Sequence, residues 1–216
     1  MGTGAWREFP GCIARYGSRG TQDRWWLRIP FATADGPCPH CDGWLDSYGD
    51  HALSCCGGGD RTRRHNLLRN AVYHTTRAAR LNPELEKPGL LPQRPTSGAL
   101  FENGSSIGER DSDPSARRPA DIYFPRWRAG PPAAWDFAVT SGLRLESIAD
   151  SVRDPDAALT NYEDFKCQHQ ETKSQCAAQG ITFIPMVMEA VGGGWGKVAR
   201  SVWSQLAKSS ALASGE

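Results

Sequence analysis

Two aspartates in neighbouring apolar segments are the residues of this chain best placed to do chemistry. Asp121 and Asp136 each lie in a run of apolar and β-branched residues that predicts a buried strand, at about 120–124 and 134–140. A carboxylate in a buried strand is costly unless it is paired or holds a cation. On adjacent strands, the two carboxylates would offer the hard oxygen ligands that Mg²⁺ prefers. The pattern predicts metal-assisted hydrolysis of a phosphodiester, with surface or capping acids as the simpler alternative.

Two further side chains could complete such a site. Lys166, in the middle of a predicted helix, is the best candidate to orient the attacking water and to offset negative charge in the transition state, and Lys173 is its rival one heptad later. Glu86 could supply a third carboxylate, so the predicted Mg²⁺ or Mn²⁺ ligands are Asp121, Asp136 and Glu86. The simpler alternatives are a solvated helix lysine and an ordinary acid at the end of a strand.

Four cysteine and histidine residues follow a metal-binding pattern. The spacing is C-x2-C-x9-H-x3-C, which comprises Cys38, Cys41, His51 and Cys55. Two cysteines on a tight turn and a His/Cys pair give the four ligands of a closed tetrahedral Zn²⁺ site, which is structural because it leaves no position for water. His40 and Cys56 are alternative ligands, and buried free thiols are the interpretation without a metal.

Basic residues lie close to these acids in the sequence. Residues 61–80 contain six arginines, two histidines and no acid, and another arginine pair precedes the first aspartate segment. Positive patches beside an acidic cluster suit a polyanion, which predicts contacts to DNA. The predicted DNA-binding residues are Arg63, Arg64, His65, Arg69, Arg117 and Arg118. The alternatives are a solvated helix face and, for His65, a polar niche at the start of a helix.

Periodicity and turn residues divide the chain into elements that position these groups. In chain order they are a helix at about 63–79, a short strand at 85–91, a long loop at 92–116, the two aspartate strands, a helix at 157–179 that ends at Gly180, a strand at 181–188 and a helix at 196–206. The predicted fold class is α/β. The predicted divisions are an N-terminal extension at 1–36, a zinc knuckle at 37–60, a core at 61–208 and a tail at 209–216.

Composition limits the cellular compartments that we expect for this protein. The first residues lack the apolar segment of a secretory signal, and no run approaches the roughly 20 apolar residues that a membrane helix needs. The seven cysteines are an odd number, and the cluster among them favours metal binding in a reducing compartment over a disulfide framework. We predict a nuclear or cytoplasmic protein that is not secreted and has no membrane partner.

Several short motifs occur in a defined order along the chain. They are the Cys/His knuckle with Gly49-Asp50-His51-Ala52-Leu53-Ser54-Cys55, then Arg64-His65-Asn66, Arg118-Pro119-Ala120-Asp121, Asp136, the helix lysine, and Phe183-Ile184-Pro185-Met186-Val187-Met188-Glu189 followed by Gly192-Gly193. Over about residues 36–206, this order resembles the restriction-like endonuclease domain at the C-terminal end of site-specific non-LTR retrotransposon polyproteins.

The resemblance implies a PD-(D/E)xK nuclease with a restriction-endonuclease-like αβββαβ core, a mixed sheet flanked by helices. It implies Mg²⁺-dependent DNA cleavage at Asp121 and Asp136, with the catalytic lysine displaced onto the following helix at Lys166. It also implies nicking of target DNA for retrotransposon-type integration, with DNA as the partner and a reverse transcriptase region or RNA as further partners in a parent element. The alternative is a catalytically inactive, zinc-containing DNA-binding module of the same fold.

Overall fold

A computed structural model describes residues 27–55, 57–92, 119–128, 130–144, 147–190 and 193–214. The fold is mixed α/β, with one mixed four-stranded sheet flanked by helices and a small two-stranded sheet near the N-terminus. The class predicted from the sequence is therefore confirmed. Most of the predicted N-terminal extension and nearly all of the predicted loop at 92–116 lie outside the described residues.

The small N-terminal unit contains the Cys/His pattern. Strands β1 (Gly36–Pro37) and β2 (Trp44–Leu45) form an antiparallel pair, and the short helix α1 (Asp50–Ser54) follows. A 3₁₀ turn, Gly57–Gly59, then leads directly into the next helix.

Helix α2 and three strands form the first half of the main unit. Helix α2 spans Asp60–Ala78, and strands β3 (Glu84–Leu85), β4 (Ile122–Phe124) and β5 (Ala133–Thr140) pair in antiparallel fashion. The strand predicted at 85–91 is much shorter than expected. Glu86 has a φ of 44°, Gly89 has a φ of 72°, and Pro88 has no backbone donor, so the chain leaves the sheet after Leu85.

Four helices and one strand form the second half. They are α3 (Ile148–Arg153), α4 (Ala157–Gln168), α5 (Thr172–Ala178), β6 (Thr182–Glu189) and α6 (Lys197–Ser214). Strand β6 pairs parallel to β5, and the sheet order is β3-β4-β5-β6. Pro185 therefore lies on the last strand of this order, and proline is tolerated on edge strands because it has no backbone N–H to donate. The last helix continues beyond the predicted end at 206.

The long helix predicted over 157–179 is two helices. A 3₁₀ turn, His169–Glu171, separates α4 from α5, and Gln170 and Glu171 have φ values of 53° and 56°. These left-handed conformations interrupt the helical backbone. Gly180, with a φ of 69°, lies just beyond α5, as predicted for a C-terminal glycine.

The two faces of the sheet pack against different helices. One face packs against α2 and α6 through a cluster that includes Val72, Ile122, Phe124, Trp135, Phe137, Met186, Val202 and Leu206. The opposite face packs against α4 and α5 through Tyr123, Ala134, Cys176 and Phe183 in one cluster and Ala138, Leu159 and Val187 in another. Because side chains alternate along a strand, Asp136 lies between Ala134 and Ala138 on the α4 face.

Candidate functional site

Asp121 and Asp136 form a cross-strand pair. Ile122 pairs with Trp135 in the antiparallel ladder, so Asp121 and Asp136 lie next to this pair on the two segments. The backbone N–H of Asp121 donates to the carbonyl of Trp135 at 2.8 Å, one residue away from the acceptor that the register of β4 and β5 would give, so the pairing is irregular at this point. The charge of Asp121 and a hydrogen bond with its side chain both act on the Asp136 carboxylate, so the two carboxylates are neighbours.

The position of Asp121 at the start of β4 determines what its carboxylate contacts. Because β4 begins at Ile122, the backbone N–H of Phe137 meets the Asp121 side chain and donates to its Oδ2 at 2.6 Å. The Nε2 of His65, on α2, lies 3.1 Å from the same oxygen. Two donors from different elements thus fix this carboxylate.

Lys166 completes the pair from helix α4. Its Nζ lies 2.8 Å from Oδ2 of Asp136, and both side chains are mostly buried. Burial raises the pKa of Asp136 to about 6; the positive charge of Lys166 opposes this rise, and the charge of Asp121 adds to it. The rival Lys173 is exposed on α5. The structure thus brings Lys166 to Asp136, the neighbour of Asp121.

Glu86 lies next to this pair along the backbone, but its carboxylate contacts an arginine. Its N–H donates to the carbonyl of Asp121 at 3.0 Å, just beyond the paired residues of β3 and β4. The Glu86 carboxylate forms an ion pair with Arg69, and Arg69 Nε also donates to Asn70 Oδ1 at 3.1 Å. Within the described residues, no third Cys, His or acid joins Asp121 and Asp136 in a three-ligand cluster.

The predicted DNA-binding residues fall into three groups. Arg63 is exposed on α2 and Arg64 is partly buried there. Arg69 is buried beside Glu86, and His65 contacts Asp121, so these two face the site rather than open solvent. The hydrogen bond to Asp121 raises the pKa of His65, against the opposing effect of burial. The pair at positions 117 and 118 lies outside the described residues, so its role stays a prediction.

The four residues of the Cys/His pattern converge. The ligand atoms of Cys38, Cys41, His51 and Cys55 all lie within 4.8 Å of one another. The Sγ atom of Cys55 is 3.7 Å from each of the other two sulfurs, and Cys41 Sγ is 3.3 Å from His51 Nε2. Two sulfurs bound to one Zn²⁺ at about 2.3 Å would lie about 3.8 Å apart in a tetrahedron. A disulfide needs about 2.05 Å. The cluster could therefore hold zinc.

The local sequence positions His51 in this cluster. The Asp46 carboxylate accepts hydrogen bonds from the N–H groups of Tyr48, Asp50 and His51 at 3.0, 3.0 and 2.7 Å, which fixes the start of α1. Arg28 holds the same turn through two bonds to Asp50, at 2.7 and 2.9 Å. Because α1 is too short to be stable alone, these polar contacts set the orientation of the imidazole.

Glycines and backbone donors complete the knuckle. The N–H groups of His40, Gly43 and Gly57 each donate to a cysteine sulfur, at 3.4 Å in every case. A Cβ at Gly43 would lie 2.5 Å from Cε1 of His51, so any other residue there would displace the His51 ring. Of the alternative ligands, His40 is exposed and outside the cluster, and Cys56 lies outside the described residues.

The thiols have very different proton affinities without a cation. Burial raises the pKa of Cys55 to about 12. For Cys38, the N–H of His40 and neighbouring polar groups outweigh the effect of burial and lower the pKa to about 6. Two adjacent thiolates would repel each other in this setting. A divalent cation would favour the thiolate form of all three cysteines, which is the form that binds zinc.

Sequence reasoning missed one buried acid on the helix that carries Lys166. Glu163, on α4, accepts the N–H of Val198 at 3.0 Å and so caps the start of α6. A Cβ at Gly196 would lie 2.1 Å from Glu163 Oε1, which shows how closely the two elements approach. The burial of Glu163 could have been predicted from helical spacing, because Glu163 lies four residues after the buried Leu159 and three before Lys166.

Comparison with protein-family models, curated proteins and solved structures gives no match for this chain. In the part of the chain that the structure describes, every helix is too short or too polar to cross a bilayer.

Proposed function

We propose that this protein is a metal-dependent endonuclease that hydrolyses phosphodiester bonds in DNA. One observation carries the proposal. The carboxylates of Asp121 and Asp136 are neighbours where β4 meets β5, and the Lys166 ammonium is 2.8 Å from Asp136. Two neighbouring carboxylates and a lysine provide oxygen ligands for a cation and a positive group for a phosphate.

The element order supports a restriction-endonuclease-like core as part of this proposal. From α2, the chain runs through β3, β4 and β5, then α4, then β6. This is the αβββαβ order of PD-(D/E)xK nucleases, with α3 and α5 as additional short helices. The parallel pairing of β6 with β5 after a helical crossover makes the sheet mixed, as that architecture requires.

The chain's own residues fit the proposed cofactor. Mg²⁺ is commonly held by one or two carboxylates together with water and substrate phosphate oxygens, and a pair of aspartates meets this need. When bound, Mg²⁺ or Mn²⁺ would polarise a phosphoryl oxygen and activate water. Lys166 would offset negative charge on the phosphate in the transition state, while His65 and the Phe137 amide keep Asp121 in place.

The basic surface of α2 supports DNA as the substrate. Arg61, Arg63, Arg77 and Arg80 are exposed on or just after this helix, which also carries His65 toward the site. Arginines at such positions contact phosphates and orient a duplex without reading its sequence. The described residues contain one such site, so we propose that one copy nicks one strand. The resemblance to retrotransposon endonucleases makes integration of such an element the biological role that we propose.

We further propose that Cys38, Cys41, His51 and Cys55 bind a structural Zn²⁺ ion. The sulfur separations of 3.7 Å support it, as does the donation of backbone N–H groups to the sulfurs. With four protein ligands, this ion would have no open position for a substrate. Its role would be to hold the knuckle against the start of α2.

Plasmid nicking tests the nuclease proposal. We expect the wild-type protein to convert supercoiled plasmid to the nicked form with Mg²⁺ or Mn²⁺, and Asp121→Asn, Asp136→Asn and Lys166→Met to lower the rate by about 100-fold or more. Asp164→Asn and Lys173→Met are the matched controls, because both residues are exposed on α4 and α5. These two variants should cleave like the wild type.

Two outcomes would reject the proposal. Cleavage that survives in both Asp121→Asn and Asp136→Asn would come from a contaminating nuclease or another site. DNA binding without nicking in either metal would favour the second candidate, a catalytically inactive, zinc-containing DNA-binding module. One observation favours this candidate, because the Glu86 carboxylate contacts Arg69 and leaves only two acids at the pair. Fluorescence anisotropy with labelled duplex measures the binding.

A further inference from the structure

Helix α2 directs an unusual side chain at the candidate site. Leu68 and Val72 on this helix pack against the sheet, and His65 lies one heptad before Val72, so it continues the same face of the helix. At this position an apolar side chain would extend the core, but the chain has the imidazole of His65. Its Nε2 lies 3.1 Å from Oδ2 of Asp121, and the carboxylate is the more buried of the two side chains.

The direction of this hydrogen bond follows from the chemistry of the partners. When Nε2 carries the imidazole proton, this nitrogen donates and the carboxylate oxygen of Asp121 accepts. Its Nδ1 lies 3.5 Å from Oδ1 of Asn66, on the same helix. The Phe137 N–H donates to the same Asp121 oxygen from the other side, at 2.6 Å. One oxygen thus has two donors, which fixes the plane of the carboxylate.

We infer that His65 is a positioning residue, which holds the Asp121 carboxylate in the orientation that binds the catalytic cation. This inference rests on the proposed function, since it assigns a role in the same site. Groups that hydrogen-bond to metal ligands typically contribute about 10–100-fold to metal affinity. The contribution arises because a fixed carboxylate loses less rotational freedom when the cation binds.

Calorimetric titration of the zinc-loaded protein with Mn²⁺ tests the inference without requiring cleavage. We expect His65→Leu to weaken Mn²⁺ binding by about 10–100-fold. His65→Gln places an amide N–H near the position of Nε2 and should recover most of that loss. His65→Asn is polar but one bond shorter, so it should bind as weakly as the leucine variant. Asp121→Asn identifies the signal from this site, because it removes the ligand itself.

The outcomes separate the two ideas. If the wild type binds no Mn²⁺, or if Asp121→Asn binds it equally well, the proposed metal site is wrong and the inference fails with it. If Asp121→Asn abolishes binding while His65→Leu and His65→Asn bind like the wild type, the positioning role alone is wrong. Equal weakening in all three His65 variants would also overturn the inference, because it would indicate a packing role. Near-ultraviolet circular dichroism shows whether each variant is folded.

Discussion

The contacts of Lys166 show how one side chain can serve both stability and chemistry. Its ammonium lies 2.8 Å from Asp136, whose pKa is raised to about 6 by burial despite this positive neighbour. A partly buried aspartate next to a second aspartate needs positive charge nearby. Lys166 supplies it, and the same ammonium is placed to meet a phosphate.

Glu163 shows the opposite case, a buried acid that has no part in the proposed chemistry. It is 5 % exposed, and burial raises its pKa, although the Val198 N–H partly offsets this. Because the folded pKa exceeds the unfolded value, the protonated form stabilises the fold. That stabilisation is fully present below about pH 4.5, the ordinary value, and is lost as the pH rises through the folded pKa.

We therefore predict a pH-dependent effect of Glu163→Gln. The amide keeps an acceptor for the Val198 N–H but carries no charge at any pH. The stability of the wild type relative to this variant should increase as the pH falls from 7 toward 4.5. Urea denaturation at several pH values measures the difference. The control is Asp164→Asn, an exposed neighbour on the same helix. A difference between Glu163→Gln and the wild type that is constant with pH would contradict the prediction.

At the scale of elements, periodicity predicts the long, regular pieces. Helix α2 and strands β5 and β6 lie within a few residues of their predicted bounds, because each has an unbroken apolar pattern that packs against the core. The break between α4 and α5 was not predictable. It depends on left-handed backbone conformations at Gln170 and Glu171, and neither residue type signals a break.

The partners of the site residues were only partly predictable. The convergence of the four Cys/His residues was predictable from their spacing, because they are close in sequence and few backbone arrangements can bring them together. Asp121 and Asp136 were predictable as a pair because a short connection joins their strands. The contact between Arg69 and Glu86 depends on where α2 crosses the end of β3, which no local pattern encodes.

The knuckle gives a prediction at this scale. A Cβ at Gly43 would lie 2.5 Å from Cε1 of His51 and 3.2 Å from the Cys41 sulfur, so Gly43→Ala must displace two ligands. We expect about 10-fold or greater loss of Zn²⁺ affinity, measured by competition with a chromophoric chelator. Gly194→Ala is the matched control, because a Cβ there meets no atom within 4 Å. Equal Zn²⁺ affinity in the two variants would mean that His51 is not a ligand.

At the scale of the whole molecule, the knuckle and the sheet are connected through one helix. A Cβ at Gly57 would lie 2.2 Å from the carbonyl oxygen of His40, so the knuckle packs tightly on the turn that precedes α2. Helix α2 then carries His65 to Asp121 and packs Val72 into the core. The sequence predicts each motif separately, but the way that α2 joins them appears only in the folded chain.

Removal of zinc should therefore have a graded effect along the chain. We expect about one zinc per chain by elemental analysis. A chelator that prefers Zn²⁺ to Mg²⁺ should unfold residues 37–60, because short segments with two-residue strands have no core of their own. Hydrogen exchange should then increase across this segment and the first turn of α2. The amides of β5 and β6 should stay protected, because apolar residues buried on both faces hold them in place. Purified protein without zinc would refute the metal site. Simultaneous loss of protection in β5 would show that the knuckle and the sheet unfold as one cooperative unit.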